Sequence, residues 1–271
     1  MRRDGLRFMR TSGLFLALLI PVVLAAGGCE RVSKASAPEG TDFVVFIDFS
    51  ESVNAEDRGL YKNDLINHVI PTLTAGDRIL IAPITDKTLT KFHPLVDVTF
   101  PVWPEFNGWS VNKLKYQESV NKINTEIPRL RTEVEASVAG VFSKPFASDH
   151  TDIFSSLVLA EKLFHNEPRS KVLIIMSDMI EDYPPYRFDK VSWTPETNKK
   201  FLSELEADRL IPDLSGVCVY ISGTSADTPE KAGQIATFWQ SYFDRAGADM
   251  HPSRYAHVLL HWPPAKSCSP G

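Results

Sequence analysis

The sequence lacks the short motifs that mark common catalytic and nucleotide-binding loops. It contains neither G-x-x-x-x-G-K-[ST] nor G-x-G-x-x-G, so nothing in it supports a nucleotide site. The G-x-S-x-G turn of α/β-hydrolases is also absent, and no internal repeats or low-complexity tracts occur. These absences argue against nucleotide-dependent and hydrolytic functions.

Cysteine is scarce, since the chain contains only Cys29, Cys218 and Cys268. Cys218 and Cys268 could pair in an oxidising compartment, where the bond would staple the C-terminal tail (263–271) to a strand. Cys218 lies within the apolar run GVCVYI, so the alternative is a thiol that packs like a small apolar side chain. We favour the disulfide.

Negative charge outweighs positive charge outside the N-terminus. The chain has a formal net charge of −5. Residues 1–28 contain four Arg and one Asp, a local charge of +3, so their removal would change the net charge from −5 to −8. A surface this acidic argues against nucleic acid and anionic lipid as partners.

The first 28 residues have the pattern of a secretory signal peptide. Four arginines precede the apolar run GLFLALLIPVVLAA, which is too short for a stable membrane span. Cys29 follows two glycines, which resembles the lipobox of bacterial lipoproteins, in which the cysteine is lipidated. Ala26 occupies a position that is usually Leu, so a signal peptide cut before an ordinary cysteine is the alternative.

The sequence after Cys29 predicts where the protein resides. Residues 29–40 are small and polar and are predicted to tether a domain to its anchor. We expect a bacterial cell-envelope location, with the domain in the periplasm or at the cell surface. Glu30 is not the Asp associated with inner-membrane retention, which favours the outer membrane by resemblance.

Short apolar runs rich in Val and Ile predict a parallel sheet. Runs without polar alternation are typical of strands that are buried on both faces by helices. The predicted strands are 43–47, 78–84, 171–177, 216–222 and 257–261, with 97–100 as a more polar edge strand. Helical spacing occurs over 55–70, 152–165, 196–208 and 228–247. This alternation predicts a doubly wound α/β fold with helices on both faces.

Residues 101–145 interrupt the alternation. After PVWPEFNGW comes a long amphipathic segment that contains Pro128. We predict two helical pieces joined by a kink at this proline. The segment is expected to be a helical insertion within the domain rather than a separate domain.

Small oxygen-bearing side chains cluster where the first buried strand ends. Asp48, Ser50 and Ser52 alternate along a loop, so in an extended conformation they can converge. Asp178 follows a second buried strand, and Thr151 opens the helix that leads into that strand. Ligands of open α/β sheets bind at the carboxyl ends of the strands. The five side chains are therefore expected to meet if the two strands are neighbours.

Two carboxylates and three hydroxyls form a donor set for a hard cation. Because no His or Cys joins the set, Mg²⁺ or Mn²⁺ is favoured over Zn²⁺ or Cu²⁺. Two formal negative charges leave the ion able to accept a further anionic oxygen. Taken singly, D-x-S-x-S and Thr151 could be helix caps and Asp178 an Asx turn. Their joint placement favours the metal site.

The same segments resemble the metal-ion-dependent adhesion site of von Willebrand factor A (VWA) domains. DFSES fits the Asp-x-Ser-x-Ser signature of that site. HTDI resembles the segment that supplies its threonine, and IIMSDM resembles the strand that ends in its last aspartate. The resemblance covers residues 41–262 and implies a mainly parallel sheet with one antiparallel edge strand, a role that suits residues 97–100.

The resemblance also implies roles for the five residues. Ser50, Ser52 and Thr151 would bind the metal directly through their hydroxyls. Asp48 and Asp178 would act mostly through bound water. The module would be non-enzymatic, and its protein partner would donate an Asp or Glu carboxylate to the metal.

The chain departs from the family pattern in three respects. Met179 stands where family members commonly have Gly, and the segment between Asp48 and Thr151 is long. An acidic rim would repel an anionic partner or bind a second cation. Its residues are Glu51, Asp152, Glu181 and Asp182.

Two other functions remain as alternatives. One is a scaffold lipoprotein with a purely structural metal, whose interface would be the insertion at 101–145. The other is a metal-assisted hydrolase. A triad of Ser50, His150 and Asp178 is disfavoured because the hydrolase turn is missing.

Overall fold

The computed structural model describes residues 40–264, apart from 87, 107, 109–111, 145–147 and 149. The described residues all belong to one compact unit, residues 36–271. The predicted signal peptide, Cys29 and nearly all of the tether lie outside the described residues. Cys268 also lies outside them, so its pairing with the buried Cys218 stays a prediction. In the described part of the chain, no helix is both long and apolar enough to cross a membrane.

The described strands form a six-stranded sheet. They are β1 (Thr41–Asp48), β2 (Arg78–Ile84), β3 (Val96–Thr99), β4 (Ser170–Met176), β5 (Val217–Ser222) and β6 (Tyr255–Ala256). Their spatial order is β3-β2-β1-β4-β5-β6. Neighbouring strands are parallel except β2 and β3, which are antiparallel. The predicted antiparallel edge strand is thereby confirmed, and β1 and β4 are neighbours.

The described helices cover both faces of the sheet. They are α1 (Ala55–Asp64), α2 (Lys113–Phe142), α3 (Ile153–Phe164), α4 (Pro195–Ala207) and α5 (Pro229–Arg245). A π-helical turn (Leu65–Val69) and a 3-10 turn (Ile70–Thr72) continue α1, and further 3-10 turns lie at Phe188–Lys190 and Pro252–Arg254. Val45 of β1 packs in the core with α1 and α2, whereas its neighbour Val44 packs with α3, α4 and α5. The doubly wound α/β fold is confirmed.

The predicted kink in the segment 101–145 is wrong. α2 is one continuous helix of 30 residues, and Pro128 lies inside it. A proline removes one backbone hydrogen bond from a helix, but tertiary packing can outweigh that loss. Here Ile127 and Val134, on either side of Pro128, are buried in the core that α1 shares. α2 is thus part of a helical layer, and its description as an insertion stays a prediction.

The predicted strand at 257–261 is also wrong. β6 ends at Ala256, and the following residues do not continue the sheet. The buried Asp64 holds this segment instead, because its Oδ2 accepts hydrogen bonds from Leu259 N at 3.1 Å and from Ser222 Oγ at 2.8 Å. After a last backbone hydrogen bond from Gly223 N to His257 O at 2.9 Å, a side-chain carboxylate holds the chain at this end of the sheet.

Asp42 is expected to make the protein less stable as the pH rises from about 4 to 6. The side chain is buried in β1, 3.5 Å from Arg78 Nη1. Burial raises the pKa of Asp42 to about 6, while Arg78 opposes the shift and Glu167 adds to it. Because the folded carboxyl keeps its proton to a higher pH than the unfolded one, the free energy of unfolding falls between the two pKa values, by roughly 3 kcal/mol at most.

Asp42→Asn is expected to remove this fall, as measured by urea denaturation across that pH range. Asp227→Asn is the matched control, because Asp227 is exposed. Parallel stability profiles for the wild type and Asp42→Asn would contradict the assignment.

Candidate metal centre

The five predicted site residues lie together at the carboxyl edge of the sheet. Asp48 is the buried last residue of β1. Its Oδ1 accepts from Ser50 N at 2.8 Å and lies 3.5 Å from Thr151 Oγ1. Ser50 Oγ and Ser52 Oγ are 2.9 Å apart, and Ser52 donates to the carboxylate of Asp178. A continuous chain of hydrogen bonds therefore links residues that are up to 130 positions apart.

The loop after β1 is a turn rather than the extended segment that the sequence predicted. Val53 N donates to Ser50 O at 3.2 Å, which closes the turn. Arg58 of α1 also holds the loop, because its Nη2 donates to Phe49 O at 2.9 Å and to Ser50 O at 3.3 Å. The two serine hydroxyls still meet, but the turn and the arginine bring them together.

Thr151 is positioned by the loop that follows β4. Its N–H donates to Asp182 Oδ1 at 2.8 Å, and its carbonyl accepts from Asp182 N at 3.3 Å. Glu181 Oε2 accepts from the first N–H groups of α3, those of Ile153 at 2.7 Å and Phe154 at 3.3 Å. The N-terminus of a helix leaves such N–H groups without partners and attracts negative charge. The start of α3 is thereby fixed to the β4 loop.

Ser177 is a site residue that the sequence analysis missed. Its Oγ donates to Asp48 Oδ2 at 2.8 Å and accepts from Met179 N at 3.0 Å. Strand pairing explains its place: Ile47 is opposite Met176, so Ser177 lies beside Asp48. The serine fixes the orientation of the Asp48 carboxylate. The sequence feature that could have identified Ser177 is its position as a polar residue at the end of an apolar strand. That position points to Asp48 only once β1 and β4 are known to pair.

Met179 takes a backbone conformation that suits glycine. Its φ is 64°, in the left-handed region that side chains disfavour. The side chain is fully buried, and the Met179 carbonyl accepts from Trp239 Nε1 at 2.9 Å. Packing and hydrogen bonds therefore hold Met179 in a backbone conformation that glycine adopts more readily.

The centre is buried and contains two neighbouring carboxylates. Burial raises the pKa of Asp48, although hydrogen bonds from Ser50, Ser177 and Thr151 oppose the shift. Burial, followed by the charge of Asp48, raises the pKa of Asp178 to about 7. Two buried like charges are unfavourable unless a cation compensates them. The electrostatics therefore favour a bound cation.

The rim is less acidic than the sequence predicted. Glu181 is fully buried and Asp152 is only 6% exposed. Glu181 serves the start of α3, while Asp152 Oδ1 caps the same helix by accepting from Ser155 N at 2.9 Å. Burial raises the pKa of both carboxyls. Of the four predicted rim residues, only Glu51 and Asp182 present carboxylates to solvent, so the expected repulsion of an anionic partner is reduced.

The donor set fits a hard divalent cation. Octahedral Mg²⁺ has ligand distances near 2.1 Å, which places adjacent ligand oxygens about 2.9 Å apart. The separation of Ser50 Oγ and Ser52 Oγ, 2.9 Å, matches this value. Within the described ranges, no group of three or more His, Cys, Asp or Glu could hold a metal. That absence does not bear on this centre, because its predicted donors are two carboxylates and three hydroxyls.

The geometry does not favour a hydrolase triad. His150 Nδ1 lies 3.4 Å from Asp182 Oδ1, whereas Ser50 Oγ is paired with Ser52 Oγ. The serine and the histidine therefore have separate partners.

Asp178→Asn is expected to stabilise the metal-free protein and to remove its response to metal. Asparagine keeps the acceptor that Ile180 N uses at 2.9 Å, but it removes one of two neighbouring buried charges. In EDTA, we expect the melting temperature to rise by roughly 2–4 °C. The further rise that excess Mg²⁺ gives the wild type should disappear. Thermal melts of both proteins in each condition test this, and a lower melting temperature in EDTA would contradict the repulsion argument.

Glu181→Ala is expected to lower the free energy of unfolding by roughly 2–4 kcal/mol, because buried N–H groups lose their acceptor. These groups belong to Ile153, Phe154 and Tyr183. Urea denaturation measures the loss, and Glu196→Ala, at an exposed position in the first turn of α4, is the control. A loss no larger than that of the control would show that the groups find other partners.

Comparisons with known proteins find similarity in structure alone. No protein-family model and no curated protein matches the chain. An aerotolerance-related membrane protein from Bacteroides fragilis, solved with multiple mutations to serines, is 11% identical with a TM-score of 0.35, over 68% of this chain and 67% of that one. The manganese-loaded TRAP protein of Plasmodium vivax is 12% identical with a TM-score of 0.32, over 74% of this chain and 64% of that one. This chain thus spans just under two thirds of the second protein.

Both TM-scores are below 0.5, so these two likenesses carry no argument about the fold. The described strands themselves form a mainly parallel sheet with one antiparallel edge strand, and five oxygen-bearing residues meet at the end of β1. Both features agree with the resemblance of the sequence to VWA domains.

Proposed function

We propose that this domain is a divalent-cation-dependent protein-binding module, carried by a lipid-anchored protein of the bacterial cell envelope. The observation that supports it most strongly is the convergence of five oxygen donors at the carboxyl edge of the sheet. Mg²⁺ or Mn²⁺ would supply the positive charge that the centre needs. The donors are Asp48, Ser50, Ser52, Thr151 and Asp178.

The partner would contribute an Asp or Glu carboxylate to the ion. Asp48 is buried, whereas Ser52 is exposed, so the centre is closed on the side of the sheet and open towards solvent. An open side allows a ligand from another molecule to reach the ion. Tyr183 also lies at the rim, where its ring packs edge-on against that of His150 with 6.1 Å between the ring centroids. Tyrosine is enriched in protein interfaces.

The alternative functions have less support. A scaffold that binds through the long helix of the segment 101–145 would need the apolar side of α2, but from Ile123 onward that side is buried in the core. A purely structural metal would not need the open side at Ser52. No described contact favours a hydrolase, so we propose no catalytic role.

Ser50→Ala is expected to weaken Mn²⁺ and Mg²⁺ binding by roughly tenfold or more, because one direct ligand is lost. The fold should persist, since the Asp48 carboxylate keeps its bond from the backbone N–H of residue 50. Isothermal titration with the metal alone measures the affinity. Ser137→Ala is the control, because Ser137 lies on the exposed side of α2. Equal affinity in the wild type and Ser50→Ala would refute the assignment of this ligand.

The same variant tests the protein-binding role. The wild-type domain, used to capture proteins from an envelope extract, should retain a partner in Mg²⁺ and lose it in EDTA. Ser50→Ala should fail in both conditions. A partner that is retained equally in EDTA would show that recognition does not pass through the metal.

A further inference from the structure

An exposed apolar surface lies away from the metal centre. Val102, Phe106 and Leu114 are 61%, 51% and 67% exposed, and Trp103 is 37% exposed. The rings of Phe106 and Tyr116 are 5.1 Å apart, which joins the segment after β3 to the first turns of α2. We call these five residues the apolar patch. It contains half of the eight strongly exposed large apolar side chains in the described chain.

Backbone contacts place one side of the patch at the amino edge of the sheet, where the parallel strands begin. Gly76 lies just before β2, and its N–H donates to Pro101 O at 3.0 Å. Val102 and Trp103 follow Pro101 directly. The patch therefore starts at the opposite edge of the sheet from Asp48.

The first turns of α2 reach beyond the same edge. The ring of Phe142, at the end of α2, is 5.6 Å from that of Phe49 at the carboxyl edge. Arg131 Nε donates to Leu73 O at 2.8 Å, near the start of β2. Lys113 precedes Arg131 by 18 residues, or about 27 Å along the helix axis. The turns of α2 before the buried Ile123 therefore extend past the amino edge and carry Leu114 and Tyr116 with them.

The chain also enters the domain at this edge. Gly40, directly before β1, packs so closely on Gly76 that a Cβ atom would lie 2.3 Å from Gly76 O. The predicted tether therefore joins the domain beside Pro101 and the patch. The eleven peptide units from Cys29 to Gly40 can span at most about 37 Å. A lipid on Cys29 would keep this edge within that distance of a bilayer.

We propose that the apolar patch docks the domain on the lipid surface that holds its anchor, so that the metal centre faces away from the membrane. This goes beyond the proposed function and rests only on its lipid-anchored form. Exposed aromatic and aliphatic side chains with neighbouring lysines are typical of segments that lie in a membrane interface. The tether adds a high effective concentration, so a small contact area is sufficient.

The charge around the patch suits this role. The charged residues from 101 to 122 sum to +1, although the chain as a whole is acidic. They are Lys113, Lys115, Lys122, Glu105 and Glu118. The acidity that argues against an anionic-lipid partner for the whole domain is thus absent here. Docking would depend on apolar contact rather than on charge, and it should persist at high salt.

The test uses a chain that starts at residue 30, because residues 40–264 contain both apolar cores and all described strands. An N-terminal His tag replaces the lipid and binds a nickel-chelating lipid in vesicles of phosphatidylethanolamine and phosphatidylglycerol. Brominated acyl chains quench tryptophans that enter the bilayer. We expect quenching in the wild type. The double variant Val102→Ser/Phe106→Ser, which keeps Trp103 as the reporter, should lower the ratio of docked to undocked protein by roughly tenfold or more.

Val258→Ser/Leu260→Ser is the matched control, because it removes two exposed apolar side chains that follow β6. This control should be quenched like the wild type, and all variants should melt alike. Ser50→Ala should leave the quenching unchanged, which separates this proposal from the metal-dependent function. A tethered wild type without quenching would overturn the proposal, as would equal quenching in the double variant. If the wild type is not quenched but forms a dimer, and only the double variant loses that dimer, the patch binds a second copy of the chain instead.

Discussion

The buried carboxylate of Asp48 is the interaction on which the architecture of the centre depends. It receives hydrogen bonds from the loop after β1, from the end of β4 and from Thr151, two residues before α3. Because these donors come from three separate segments, the carboxylate can form them only when β1 and β4 are paired and α3 is docked. The geometry of the site is therefore a consequence of the complete fold, and a small change in strand register would disperse it.

The fold class and the five donors were predictable because they depend on local signals. Uninterrupted apolar runs mark strands buried on both faces, and the polar residues stand where those runs end. Ser177 and Glu181 were not assigned their roles, since these depend on partners 129 and 27 or 28 positions away. Sequence spacing carries no information about such contacts until strand order and helix docking are known.

The two wrong predictions arise from local rules that tertiary contacts override. Pro128 predicts a break, but buried residues on both sides keep α2 continuous. The run HVLLH has strand composition, yet Val258 and Leu260 are exposed, and Asp64 binds the backbone of Leu259. In both cases the deciding partner lies on another element.

The left-handed Met179 has a consequence for the proposed binding of an ion. A non-glycine residue in this conformation costs about 1–2 kcal/mol, which surrounding contacts must offset. Here a buried side chain and the hydrogen bond from Trp239 do so without any contribution from a cation. If the proposed ion binds beside Asp178, little of its binding free energy would be needed to order this loop.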